Sequence, residues 1–349
     1  RRMHNKSFTV DNRFTIVGGR NIGAEYFAGR EDMNFADTDM LAVGPVVQDV
    51  SRMFDLYWNN DLAVPITEVV KPPKDPEGDM TKVRAYIEKG VLAIRGSQYG
   101  EALTTRVKRL YDPSAENVFL SEWELVYDAP EKGRTDKLAR EAEKITTKLA
   151  ESINGAEEGV MIISPYFVPD RGSLKGIQEY IDRGLRMVVV TNSLAATNHH
   201  VVHSGYAPTR KKMLKMGVEI WETKPDIELS GTEDAGTTDA VSGLHTKGFI
   251  VDQEEFCFGS FNMDPRSAKI NTVLGVIINS PVMSKVVYDA LTEALPELAY
   301  QLILTEQNDL ALVDLQGDKP VVFTKEPRTS WGTRTKVNMM RILPINGQL

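Results

Sequence analysis

From about residue 134 onward the chain alternates between two hydrophobic rhythms. The stretches TDKLAREAEKITTKLAESI, SLKGIQEYIDRG and APTRKKMLKMG place apolar residues three and four apart, which predicts amphipathic helices. Between them GVMIIS (159–164), RMVVVTNS and VEIWE are short apolar runs, which predict buried strands. Strands alternating with helices imply a parallel sheet in a layered α/β fold. A loop rich in Gly, Thr and Asp (228–243) precedes HTKGFIVD, EFCFGSFN and NTVLGVIIN, and a helix is expected from Pro281 to about Leu304.

The first third follows another pattern. SFTVD and FTIVG, separated by a turn at Asn12–Arg13, predict a strand pair within residues 4–19. DMLAVG (39–44) predicts a further strand. Pro45 suits the first turn of a helix over PVVQDVSRMFDLYWNN, with Val46, Val50, Phe54 and Tyr57 or Trp58 on its apolar side. KPPKDPEGD (71–79), rich in proline and charge, predicts a loop or linker. Between 80 and 130, RAYIEKGVLA is compatible with helix and NVFLSEWELVYD with strand.

Composition narrows the function classes. A length of 349 residues favours two domains over one, and 42% apolar residues suffice for a sizeable core. A net charge of −8 and a pI near 5.4 argue against a general nucleic-acid binder. Cys257 stands alone, so no intrachain disulfide can form. No apolar run reaches the length of a transmembrane helix, and no signal peptide is visible. The chain opens Arg1-Arg2-Met3 and enters a strand pattern at once, so a truncated or processed N-terminus is expected.

One repeat carries the chemistry. HNKSFTVDNRFTIVGGRN begins at His4, and HTKGFIVDQEEFCFGSFN begins at His245. Lys6 and Lys247, Asp11 and Asp252, Gly18 and Gly259, and Asn21 and Asn262 fall at matching offsets. Such a match arises by chance on the order of one time in a million per site. On a strand, His and Lys two apart share a face, so two such strands brought together surround one point with two imidazoles and two ammonium groups. That set can cradle a phosphodiester, with one histidine attacking phosphorus and the other moving protons. The motif aspartates Asp11 and Asp252 belong to the candidate catalytic set by position, but strand parity turns them to the other face, where they would anchor the strand end and turn. No carboxylate or Cys/His cluster points to a metal, and no cofactor is implied. His199 and His203 are four apart but lack an acidic or cysteine partner nearby in sequence.

The two motifs, H-x-K-x4-D followed by G-[GS]-x-N, resemble the signature of the phospholipase D superfamily. SPYFVP (164–169), TNSLAAT (191–197), VVHSGYAPTRKKML (201–214) and GSFNMDPRS (259–267) look like bacterial cardiolipin synthases, especially the C-type. The resemblance implies two α/β repeats related by a pseudo-two-fold axis, each a mixed, mainly parallel sheet flanked by helices. It divides the chain into residues 1–130 with the first motif and a linker, 131–310 with the second motif, and a basic amphipathic tail over 311–349. The first repeat is expected to lack strands that would flank its catalytic strand, which exposes apolar edges.

The implied reaction is phosphatidyl transfer through a phosphohistidine, without cofactor, at the cytoplasmic side of the bacterial inner membrane. Its substrates would be phosphatidylglycerol and, as an alternative donor, phosphatidylethanolamine. A hydrolytic phosphodiesterase of the superfamily and a non-catalytic lipid-binding fragment are the alternatives. Members of the superfamily commonly orient each histidine with an acidic residue. By position Asp39 fits that role for His4, whereas Val273 stands where the second acid is expected. His4 is therefore expected to be the nucleophile and His245 the acid/base. Asn21, Asn262, Ser260, Tyr166 and His203 are expected to line the substrate site. In the tail, Lys319, Lys325, Arg328, Arg334, Lys336 and Arg341 outweigh Glu326 and interleave with Trp331, Met339, Met340, Ile342 and Leu343, which suits either a membrane-surface contact or a tail packed on its own domain.

Overall fold

The computed structural model describes residues 2–27, 30, 32–97, 100–101, 104–105, 118–132, 144–225 and 241–341. Its first part holds strands β1 (Ser7–Val10), β2 (Phe14–Gly18), β3 (Met33–Ala36) and β4 (Asp39–Val43), then helices α1 (Val46–Trp58), α2 (Ile66–Val69) and α3 (Pro76–Arg95). The second part runs β5 (Glu122–Tyr127), α4 (Lys144–Gly155), β6 (Gly159–Ile163), α5 (Arg171–Asp182), β7 (Arg186–Asn192), α6 (His200–Tyr206), α7 (Arg210–Met216), β8 (Glu219–Thr223), β9 (Val241–Leu244), β10 (Gly248–Val251) and β11 (Glu255–Gly259). It closes with α8 (Pro265–Lys269), β12 (Leu274–Asn279), α9 (Pro281–Leu298), β13 (Ala299–Leu304), β14 (Leu310–Asp314), β15 (Val321–Phe323) and α10 (Trp331–Met340). The predicted helix and loop over 133–143 and 226–240, and Ile342 and Leu343, lie outside the described residues.

A ten-stranded sheet, ordered β15-β14-β13-β8-β7-β6-β10-β11-β12-β5, forms the centre. The sheet is mixed, as expected, but its parallel part is confined to β6, β7 and β8, the strands joined by helices. The other pairs are antiparallel: consecutive strands make β10-β11, β11-β12, β13-β14 and β14-β15, and distant segments meet in β6-β10, β5-β12 and β8-β13. The helix expected to reach Leu304 ends at Leu298, just after its internal Pro296, and Ala299–Leu304 becomes β13. Pro296 weakens the last turn, and the apolar run that follows pairs along β8 and β14.

Both faces of this sheet are covered. Ile145, Leu149, Leu174, Ile177 and Met213 from α4, α5 and α7 pack on one face. On the other, Met283 and Leu295 of α9 share a core with Val17 of β2 and with Val50 and Met53 of α1. The first part thus docks on the second through the apolar side of α1 predicted from its spacing. Its own three-stranded sheet, β1-β2-β4, leaves Phe8, Val10, Ile16 and Val43 exposed.

The tail folds onto the large sheet. The boundary at 311 falls inside β14, and β14 and β15 extend the large sheet. Glu326 reaches in to the guanidinium of Arg210 at 2.6 Å, and Val337 of α10 is buried. The pair between the Glu326 carboxylate and the buried Arg210 ties the segment to its own domain, while Trp331 and Met339 remain exposed.

Candidate active site

The two motifs fold alike for local reasons. Asp11 and Asn12 have φ of 51° and 53°, and Asp252 and Gln253 have 51° and 58°. Arg13 N donates to the Val10 carbonyl and Glu254 N to that of Val251, which closes a two-residue hairpin turn in each repeat. Asp and Asn tolerate the left-handed conformation such turns require. The motif aspartates are therefore turn residues and not part of the reacting set, a correction to their place there. Asp252 also accepts three backbone bonds of 2.8 Å from Glu157, Glu158 and Gly159. Burial opposes its charge, yet these donors hold its carboxyl below the ordinary value. Gly259 is required by close approach, because a Cβ there would collide with the Leu274 carbonyl.

His245 and Lys247 lie just before β10, whose first residue Gly248 pairs with Ile163 at the carboxyl end of β6. That edge of a parallel sheet is where ligands ordinarily bind. Asn192, at the end of β7, clamps the residue before His245, accepting from Leu244 N at 2.9 Å and donating to its carbonyl at 2.8 Å.

The first repeat completes the site through β3, which pairs in parallel with β9 so that Ala36 lies opposite Leu244. The next residues on the two strands, Asp37 and His245, then meet. The Asp37 carboxylate lies 2.5 Å from His245 Nδ1, and His245 N donates to the Ala36 carbonyl at 2.7 Å. Lys247 Nζ also lies 3.0 Å from Nδ1, but a nitrogen that gives its proton to a carboxylate cannot accept from an ammonium. We assign the proton to Nδ1, and Lys247 donates to the His245 carbonyl. The Nε2 lone pair is left to accept from the Tyr26 hydroxyl at 3.3 Å, which itself accepts from Asn21 Nδ2 at 2.6 Å.

His4 is held differently. Met3 forms an isolated parallel bridge with Thr272, and His4 N donates to the Thr272 carbonyl at 2.8 Å. Its Nδ1 lies 3.0 Å from the carbonyl of Ser260. The carboxylate expected for His4 is absent: Asp39 pairs with Arg20 Nε at 2.5 Å, because it lies on β4 beside the end of β2. Arg20 also binds the carbonyls of Asp37 and Tyr26, so it fastens the loop that carries both. Orientation thus crosses between repeats, Asp37 of the first serving His245 of the second. The carboxylate contact falls on His245, where the sequence placed it on His4.

Each histidine feels the lysines of both motifs. Burial, then the ammonium groups of Lys6 and Lys247, lowers the pKa of His4 to about 3. Burial and Lys247 likewise hold His245 well below its ordinary value. Burial brings Lys6 to about 8 and Lys247 to about 7, against the opposing pull of Asp37. Burial raises Asp37 to about 6. Such clusters of buried, mutually perturbed groups characterise functional sites, and two lysines suit an anion.

The remaining expected residues divide. Tyr166 stands edge-on to His245 at 6.4 Å and to His199 at 5.3 Å, and its hydroxyl donates to Asn198. Asn262 is buried with its Oδ1 unpartnered. The Ser260 hydroxyl bridges the backbone of Leu274, so its carbonyl, not its side chain, serves the site. His203 lies elsewhere, packed on Tyr206 and 3.9 Å from Glu326, in the buried group around Arg210 and Glu222. Asp37, Tyr26, Arg20, Asn198 and His199 were not singled out for the site. Among the described residues no cluster of His, Cys, Asp or Glu could hold a metal.

Comparison with known proteins fits this geometry. Residues 149–294 match the family described as "Cardiolipin synthase, PLD-like domain". The chain is 36% identical over 347 residues to cardiolipin synthase C of Escherichia coli K12, covering 99% of this chain and 72% of that protein. It is 24% identical to cardiolipin synthase A of Pseudomonas aeruginosa over 79% of this chain and 43% of that one. The crystal structure of phosphatidylserine synthase from Haemophilus influenzae aligns with a TM-score of 0.54 at 13% identity, over 98% of this chain and 71% of that one.

Proposed function

Because the chain belongs to the cardiolipin synthase family of the phospholipase D superfamily, we propose that it transfers a phosphatidyl group from a phospholipid donor to the headgroup hydroxyl of phosphatidylglycerol. The observation that carries the reading is the meeting of two H-x-K half-sites around one carboxylate-backed histidine.

Lys6 and Lys247 hold the phosphodiester anion. The Nε2 of His245 attacks phosphorus, forming a nitrogen–phosphorus bond while the bond to the donor headgroup oxygen breaks. That oxygen takes a proton from His4. Burial and the two lysines hold His4 neutral. A bound anion offsets the lysine charges and raises His4 toward the range an acid needs. Asp37, across the Nδ1 proton, stabilises the positive ring of the intermediate. His4 then removes the proton of the acceptor hydroxyl, whose oxygen displaces His245 and closes the new phosphodiester. Phosphatidylglycerol or phosphatidylethanolamine would serve as donor, and we place the work at the cytoplasmic face of the bacterial inner membrane.

Incubation with phosphatidylglycerol, with and without phosphatidylethanolamine, tests the reading. Cardiolipin is the expected product. Phosphatidic acid without cardiolipin would overturn the transferase reading in favour of hydrolysis.

A further inference from the structure

Helix α3 is well made, yet among the described residues it buries no side chain. Asp75 caps it, accepting from Gly78 N at 3.0 Å, Pro76 occupies its first turn, and Gly96 ends it. An amphipathic helix of a globular protein normally buries its apolar stripe, yet none of the twenty residues of α3 is buried. Met80, Val83, Ile87, Val91 and Ile94 recur at three- and four-residue spacing on one face, each between 40% and 55% exposed. Tyr86, at 81%, stands beside that stripe.

The charge on the helix selects the occupant. Its acidic residues Glu77 and Asp79 gather in the first turn, where they answer the helix dipole. From Met80 to Arg95 the charged residues are Lys82, Arg84, Lys89 and Arg95 against Glu88 alone, a basic segment in a chain of net charge −8. An apolar stripe with a basic body matches an anionic phospholipid surface. The exposed apolar run leads back along the chain through Val69, Val70 and Ile66 to Trp58 and Phe54, stacked at 5.8 Å. There it meets a cavity of about 600 Å³ lined in part by Met3, the residue before His4. No helix among the described residues is long and apolar enough to cross a membrane.

We propose that α3 lies flat on the surface of an anionic phospholipid bilayer, apolar face down, and seats the protein where its lipid substrates reside. The proposal rests on the phospholipid reading of the active site, and its test separates the two. Flotation is measured with phosphatidylcholine vesicles with and without phosphatidylglycerol. Wild-type protein is expected to float with the anionic vesicles and to detach as salt rises. The Ile87→Glu/Val91→Glu variant should lose at least about tenfold in partitioning, since each change removes an exposed apolar anchor. The Arg84→Gln/Lys89→Gln variant should weaken binding to anionic vesicles only. Because all four side chains are exposed, melting temperatures should not change.

Turnover of a short-chain, monomeric phosphatidylglycerol reads the active site apart from docking. Equal turnover by wild type and the glutamate variant there, with loss only on vesicles, is the expected result. An inactive wild type would overturn the catalytic reading while leaving the flotation result to stand. Undiminished flotation of the glutamate variant would overturn the docking proposal. So would wild-type self-association that the variant abolishes without any change in flotation, which would make the stripe a contact between copies.

Discussion

Replacing Asp37 with asparagine tests the crossed orientation directly. The carboxylate is fully buried, 2.5 Å from His245 Nδ1, and the amide keeps its shape while removing its charge. At an effective dielectric near 20, a carboxylate about 4 Å from the centre of a positive imidazole is worth roughly 4 kcal/mol. That corresponds to about 10³-fold in rate. The amide can also donate to Nδ1, which moves the ring proton to Nε2 and removes the attacking lone pair. The expected result is a fall in kcat of about 10³-fold with KM little changed, because Asp37 meets the Nδ1 edge of the ring, opposite the attacking Nε2. Asp39→Asn, which breaks only the pair with Arg20, should cost less than about tenfold.

The pH profile supplies a second readout. Asp37 works as the carboxylate and its pKa is about 6, so wild-type turnover should fall as pH drops through about 6, and Asp37→Asn should lose that limb. The folded pKa lies above the unfolded one, so the stability contributed by Asp37 is present at low pH and lost as pH rises through about 6. Near neutrality the asparagine variant should therefore melt at the same temperature or higher, which separates lost chemistry from lost folding. Retention of more than about a tenth of turnover by Asp37→Asn, or an equal loss in Asp39→Asn, would refute the crossed orientation.

Three further outcomes are expected. With a labelled, activated donor, His4→Ala should trap label on His245, read by acid-labile phosphate after digestion; label on His4 in the His245→Ala variant would reverse the roles. Asp252→Ala should lower stability by about 2–3 kcal/mol in urea unfolding, since three backbone donors lose their acceptor, while kcat stays near wild type. Its carboxyl is depressed, so this stability is present above the unfolded pKa and fades as pH falls below it. Arg210→Met should cost about 3–5 kcal/mol, because it strands the buried carboxylates of Glu222 and Glu326; a thermal melt checks it.

The half-sites were legible because their chemistry depends on local spacing. His4 and Lys6, or His245 and Lys247, need only a strand to share a face, and the hairpin explains the aspartate that follows. The site as a whole was not legible, because its decisive contact joins residues 208 apart through a parallel ladder. The segment ADTDM offers two carboxylates, and nothing in local pattern says that Asp37 turns toward His245 while Asp39 turns to Arg20. In the tail, basic residues among apolar ones read equally as membrane anchor or strap. The pair between Glu326 and Arg210 shows that part of the segment straps its own domain.

The ladder between β3 and β9 has four rungs, Met33–Ala36 against Val241–Leu244, and stands apart from the large sheet. A two-stranded patch of that length is a weak unit by itself. It is the patch that sets the distance between Asp37 and His245. A slip of one residue would present Thr38 or Ala36 to the ring and turn the neighbouring side chains to the opposite face. Heat should therefore silence the enzyme before it melts it, with activity lost reversibly at temperatures where the ten-stranded core still gives a native spectrum.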